Sequence, residues 1–260
     1  ILVFITITGC DYLAKEGIPS NLKLFLGIPD RTPPKVNSTL PKDKSTNNFR
    51  NTGVFVVFNI EMDLNSAKSN IILTTKASPT AIIDADYTIE EKVVSIVPKD
   101  NLPSNTTFNI TVKKEVSSRF GISLGTEYKS EFTTGTEIDK TPPSVASSSP
   151  IDGTTGYPIN ATVSVTFNEE INPATMKDST FTLNSGAIKG SISILNSTVA
   201  FNPDENLPKE TVVIARINSG VKDLAGNVMA SPYVWSFTTG STTASDCTFG
   251  SSLIGSCLLK

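Results

Sequence analysis

The sequence has no histidine, one tryptophan and three cysteines among 260 residues. Without imidazole there is no Ser-His-Asp or Cys-His nucleophile system and no metal site that needs a histidine ligand. Carboxylate-pair chemistry and oxygen-ligated calcium survive that exclusion. An excess of positive charge is missing too, since 22 Lys and Arg stand against 25 Asp and Glu. A nucleic-acid-binding face is basic, so nucleic acid is not an expected partner. The opening apolar run, Ile1 to Ile5, falls far short of the about 20 residues that cross a bilayer. The length suits one or two domains, each with its own core.

The first residues carry no charge before Asp11. They read as the end of a secretory signal followed by small residues and a cleavage site. Ile7-Thr8-Gly9-Cys10 resembles a bacterial lipobox, with Ile7 where leucine is usual. The resemblance implies a truncated lipoprotein signal peptide over residues 1–9 and a lipidated Cys10. The thiol takes a thioether-linked diacylglycerol, and at about 0.8 kcal/mol per buried CH₂ two or three chains anchor firmly. The alternative for residues 1–10 is a buried strand ending in a Gly-Cys turn. Residues 10–29 then form the anchor and tether, broken by Gly17, Pro19, Gly27 and Pro29.

An internal repeat organises the rest. Asp30-Arg31-Thr32-Pro33-Pro34 returns as Asp139-Lys140-Thr141-Pro142-Pro143, and Phe58-Asn59 returns as Phe167-Asn168, both at an offset of 109. Asn101-Leu102-Pro103 returns as Asn206-Leu207-Pro208, and Phe132-Thr133-Thr134 as Phe237-Thr238-Thr239, both at an offset of 105. Four blocks in one order mean one fold twice, with a net deletion of four residues in a loop of the second copy. The boundaries are 30–136 and 139–240, followed by a Ser/Gly-rich tail over 241–260. Both copies read as β. Residues 54–58 and 162–167 are β-branched or aromatic runs, the second with strict alternation. Further strands are expected at 70–74, 80–87, 92–97, 106–113 and 128–134 in the first copy. The second offers 144–148, 179–183, 190–195, 198–202, 210–217 and 232–239. About seven short strands per copy fit an all-β arrangement of two tandem immunoglobulin-like antiparallel sandwiches. The Thr-Pro-Pro segments are stiff and extended, suited to linkers or edge strands.

Each copy resembles the bacterial Ig-like module of the S-layer (SbsA-like) class. The second carries every motif: the Thr-Pro-Pro entry, Pro150-Ile151-Asp152-Gly153, the Val163 to Glu169 strand end, Asn206-Leu207-Pro208, Val221 to Asn227 and the closing Phe237-Thr238-Thr239. The first diverges, with Pro41-Lys42-Asp43-Lys44 for the Asp-Gly turn and Arg119-Phe120-Gly121-Ile122 where Gly-Asn is expected. The resemblance implies a non-enzymatic cell-envelope lipoprotein. Its paired modules would act as a structural spacer or adhesion unit, exported and held to the membrane by lipid, with a protein or glycan ligand. The alternative is the accessory N-terminal region of a larger envelope enzyme continuing past residue 260.

Few residues suggest chemistry. Glu169 and Glu170 adjoin a strand end, where neighbours point apart and so do not face each other as a glycosidase pair would. Glu61 and Asp63 share that position in the first copy. Asp152, Glu169, Asp223 and Asn227 are the calcium candidates, as oxygen-rich loops at a sandwich tip. Asp223 to Asn227 equally makes a tight turn, with Gly226 supplying positive φ. Trp235 and Phe237, two apart on a strand, face one side and suit the core. Cys247 and Cys257 in the tail make either a local disulfide, reasonable in an oxidising compartment, or two unpaired thiols. Residues 139–240 hold 6 basic and 9 acidic side chains, so the whole net charge of −3 lies there as a solvated surface.

Overall fold

The structure is a computed structural model that describes residues 31–244. The first module holds β1 (Val36–Leu40), β2 (Ser45–Asn48), β3 (Val54–Phe58), a short helix α1 (Leu64–Asn70), β4 (Ile71–Thr75), β5 (Ala85–Glu90), β6 (Val93–Pro98), β7 (Thr107–Val112) and β8 (Tyr128–Thr134). The second holds β9 (Val145–Ser149), β10 (Val163–Phe167), β11 (Phe181–Leu183), β12 (Gly190–Leu195), β13 (Thr198–Pro203), β14 (Val212–Ile217) and β15 (Tyr233–Thr238). Sheet orders are β1-β3-β6-β5 and β2-β8-β7-β4 in one module, and β12-β13-β10-β9 and β11-β14-β15 in the other. Read strand for strand, the first sheets of the two modules are the same. Among the described residues the strands pair antiparallel except for β2 on β8, and an isolated parallel bridge joins Tyr157 to Thr239 in the second module.

Alternation in sequence becomes alternation in burial. Val163, Val165 and Phe167 of β10 are buried while Ser164 and Thr166 are half-buried. The inner faces close over separate cores. One contains Phe58, Leu73, Ile96, Phe108, Ile110 and Phe132, with the Phe108 and Phe132 rings stacked at 5.4 Å. The other contains Phe167, Phe181, Phe201, Trp235 and Phe237. Trp235 and Phe237 lie in the core together, as their spacing implies, and the Trp235 indole N–H is buried without a partner.

The structure gives the repeated motifs their physical content. Asn59 clamps the entry segment: its side chain accepts from Lys35 N–H at 2.6 Å and donates to the Pro33 carbonyl at 3.1 Å. Asn168 accepts from Ser144 N–H at 2.7 Å in the same way. Proline cannot donate, so the side-chain amide supplies part of the pairing that the Thr-Pro-Pro stretch lacks. The Thr134 hydroxyl donates to the Pro103 carbonyl at 2.6 Å and accepts from Thr106 N–H at 3.1 Å. Its counterpart Thr239 donates to the Pro208 carbonyl at 2.5 Å and accepts from Thr211 N–H at 2.9 Å. The Asn-Leu-Pro turn is therefore tied to the closing Phe-Thr-Thr strand, while Leu102 and Leu207 plug the cores beneath.

Some elements differ from expectation. α1 is a helix in a stretch where no element is expected before the strand at 70–74; Asp63 caps it, accepting from Ser66 N–H at 2.7 Å. β1 and β2 form without an apolar alternation, carried by pairing with β3 and β8. β5 begins at Ala85 rather than near 80, because residues 76–84 form the longer first-module counterpart of the 184–189 connection. Among the described residues no helix is long and apolar enough to cross a membrane.

Candidate functional site

The polar groups of most interest gather where the second module meets the first. Asp139 follows the linker and is anchored to the first module by a two-way amide pairing. Its N–H donates to Asn51 Oδ1 at 2.9 Å, and Asn51 Nδ2 donates to the Asp139 carbonyl at 2.8 Å. Its carboxylate accepts from Thr141 N–H at 3.0 Å. Asp223 opens the tight turn to Asn227. Its Oδ1 accepts from Asn227 N–H at 2.9 Å and its Oδ2 from Asn227 Nδ2 at 2.7 Å, with Gly226 at φ +91°. Glu169 follows β10, and its Oε1 accepts from Asn168 Nδ2 at 3.2 Å.

One carboxylate oxygen from each of Asp139, Glu169 and Asp223 lies within 4.8 Å of the others. Asp139 is 6% exposed and Asp223 1%. Burial, with Asp139 and Asp223 beside it, pushes the Glu169 carboxyl up to about 7. Burial also raises Asp223, against the two Asn227 hydrogen bonds that favour its charged form. Three acids this close are not all ionised without cost. A shared proton relieves the repulsion, and the oxygen-only donor set is equally of the kind that could hold calcium. Glu170 is not part of this group and pairs with Lys42 of the first module at 2.8 Å.

Of the four calcium candidates, Glu169, Asp223 and Asn227 come together. Asp152 does not: its Oδ1 accepts from Ser236 N–H at 2.8 Å, closing the turn against β15. Asp139, which sequence reasoning did not single out as a ligand, completes the group; the signal was there in the repeated Asp-Lys/Arg-Thr-Pro-Pro entry. The group has no counterpart in the first module, where Ile60 and Ser118 stand in place of Glu169 and Asp223. Ser118 performs the turn function alone, its hydroxyl accepting from Ile122 N–H at 3.2 Å. Glu61 pairs with Arg119, and Asp63 is the helix cap already described. Cys10, Ile7, Thr8, Gly9, Cys247 and Cys257 lie outside the described residues.

Further contacts join the modules. Gly53 N–H donates to the Leu224 carbonyl at 2.7 Å. A Cβ on Gly53 would lie 2.9 Å from the Phe55 ring and 3.1 Å from the Leu224 oxygen, so this approach requires glycine. Lys177 pairs with Glu90 at 2.7 Å on the far side. A cavity of about 220 Å³ opens at the junction, lined by Phe49, Thr52, Asp139, Glu169 and Leu224 among others.

Two sandwiches in series, each with a four-stranded sheet facing a second sheet through one core, define tandem immunoglobulin-type modules. The bacterial Ig-like domain family matches residues 30–134 and again 139–239. The chain belongs to that family, in two tandem copies. It is 28% identical over 214 residues to an S-layer protein of Geobacillus stearothermophilus, an alignment covering 70% of this chain and 17% of that protein. Among solved structures, domains 1–6 of surface layer protein SbsC align at 14% identity over 80% of this chain and 26% of theirs, with a TM-score of 0.33. A chimeric titin Z1Z2 aligns at 6% identity over 81% and 97%, with a TM-score of 0.31. The chain thus spans a small part of the S-layer proteins it matches.

Proposed function

We propose that the protein is a non-enzymatic, exported cell-envelope lipoprotein in which the two modules form a spacer and binding unit at the bacterial surface. The observation that carries this reading is the construction of the junction. The linker is paired to Asn51, Gly53 is packed on Leu224, and Lys42–Glu170 and Lys177–Glu90 bridge the modules. A chain built to hold two sandwiches in series is suited to projecting a surface away from an anchor. Its kinship with an S-layer protein supports a cell-surface setting. In this reading Cys10 carries the lipid, residues 11–29 form the tether, and a protein or glycan ligand meets the loops or open strand edges.

Fractionation of the native host tests the anchor. Wild-type protein is expected with the membranes, and Cys10→Ala in the soluble fraction after export. Retention of the alanine variant by membranes would remove the lipid anchor from the account.

A further inference from the structure

Every open sheet has edges, and an unpaired edge is a template for another strand. Among the described residues, most edges here are guarded. β1 has a bulge between Val36 and Ser38 and is followed by Pro41; β9 is irregular against β10 and is followed by Pro150. β5 carries Asp86 and Glu90. β4 is covered by the Thr74–Ile82 bridge and by Ile83 N–H on the Leu73 carbonyl. β15 is covered by residues 153–157, through Gly153 N–H on the Ser236 carbonyl and Thr238 N–H on the Thr154 carbonyl. β2 has four residues and an irregular register, and β11 has three residues and a bridge at Leu183–Ile188.

β12 has none of these protections. Its sequence, Gly190-Ser191-Ile192-Ser193-Ile194-Leu195, has no charge and no proline, and it pairs with β13 through six consecutive residues without a bulge. Its outer edge opens into a groove of about 420 Å³ between the modules. The lining shows how the strands are presented. A strand seen face-on contributes alternate residues. Here β12 contributes 192, 193, 194 and 195 in succession, and β1 opposite contributes 37, 38, 39 and 40. β12 therefore meets the groove along its edge, and its open backbone groups face a slot closed on the other side by the first module, through β1 and the ends of β3 and β6. Pro173 and Met176 form part of the floor, continuous with the module–module interface at Lys177–Glu90. Charge is balanced: Lys42 is neutralised by Glu170, leaving one Glu91 and one Lys92 at the rim. Leu195, 74% exposed, stands at the end of the strand.

We propose that this slot binds an uncharged, extended peptide segment of a partner protein, which adds as a strand to the free edge of β12. The proposal deepens the binding side of the function above and rests on it. Backbone pairing along residues 191–195 supplies affinity, and Ile192, Ile194 and Leu195 favour aliphatic side chains on the guest. A lone strand is the occupant because the first module stands across the slot. A second copy of this chain, bringing a whole sheet, would meet β1.

The test is a titration of the full chain with capped heptapeptides of alternating Thr and Val, read by amide exchange and NMR shifts. Saturable binding is expected, with slowed exchange at amides within residues 191–195. Ser193→Lys places a charge on an exposed position of the strand, and it is expected to weaken binding at least about tenfold with unchanged melting. Leu195→Lys serves as the second variant. The proposal is overturned by absence of saturable binding up to about 1 mM, by protection confined to other strands, or by binding that both variants leave intact. Self-association abolished by Ser193→Lys would overturn it equally, in favour of a second copy. None of these outcomes bears on the spacer reading, which stands on the anchor and on mechanical resistance.

Discussion

Replacing Glu169 by glutamine removes one of three crowded carboxylates and keeps the shape of the side chain. In the fold this carboxyl is held at about 7, against an ordinary value of 4.5, because burial and the neighbouring Asp139 and Asp223 disfavour its charge. The folded state therefore binds a proton that the unfolded chain has released between these two values. Linkage sets the sign: the stability this group contributes is fully present below about pH 4.5 and is lost as pH rises to about 7. Unscreened, the difference would be about 3 kcal/mol. Glu169 is partly open to solvent, and screening reduces it to about 1–2 kcal/mol. The assay is urea unfolding of wild type and Glu169→Gln from pH 5 to 8.5 in the presence of a chelator. The variant is expected to lie within about 0.5 kcal/mol of wild type near pH 5 and to exceed it by about 1–2 kcal/mol at pH 8. Parallel curves over the whole range would refute the reasoning, since the difference between the two proteins cancels every acid outside the Asp139, Glu169 and Asp223 group.

Other expectations follow from single contacts. Gly53→Val drives a branched side chain against the Phe55 ring and the Leu224 oxygen, and it should cost about 1–3 kcal/mol, with a looser module arrangement in small-angle scattering. Phe132→Ala empties a site that is wholly buried against Phe108 and should cost the first module about 3–5 kcal/mol, while amide exchange in β10 and β13 stays slow. Asp63→Ala removes the cap of α1 and should lower stability by about 1 kcal/mol in chemical denaturation.

The repeat makes most of this fold legible in the sequence. Pairs such as Asn59 with Asn168 and Thr134 with Thr239 perform the same bond at the same offset, so a motif recurring in sequence marks a contact recurring in space. Strands with apolar alternation were equally plain. β1 and β2 were not, because edge strands rich in Ser, Thr and Asn owe their conformation to a partner rather than to their own pattern. α1 is not legible for a similar reason: seven residues with one buried side chain, Ala67, carry no amphipathic period. The junction was half legible. Glu169, Asp223 and Asn227 are chemically conspicuous, but Asp139 reaches them only through the path of the linker. Asp152 shares their composition and sits elsewhere, closing a turn. Composition names oxygen donors; only the fold says which ones converge.

The most direct test of the central claim is mechanical. Pulling the intact chain from its two ends in a single-molecule force instrument should show two separate unfolding events, one per module. Each should release about 105 residues, roughly 330 Å of new contour at about 3.5 Å per residue once the folded span is subtracted. A single event of combined length, or extension without resistance, would contradict the account of two independently cored modules acting as a load-bearing spacer.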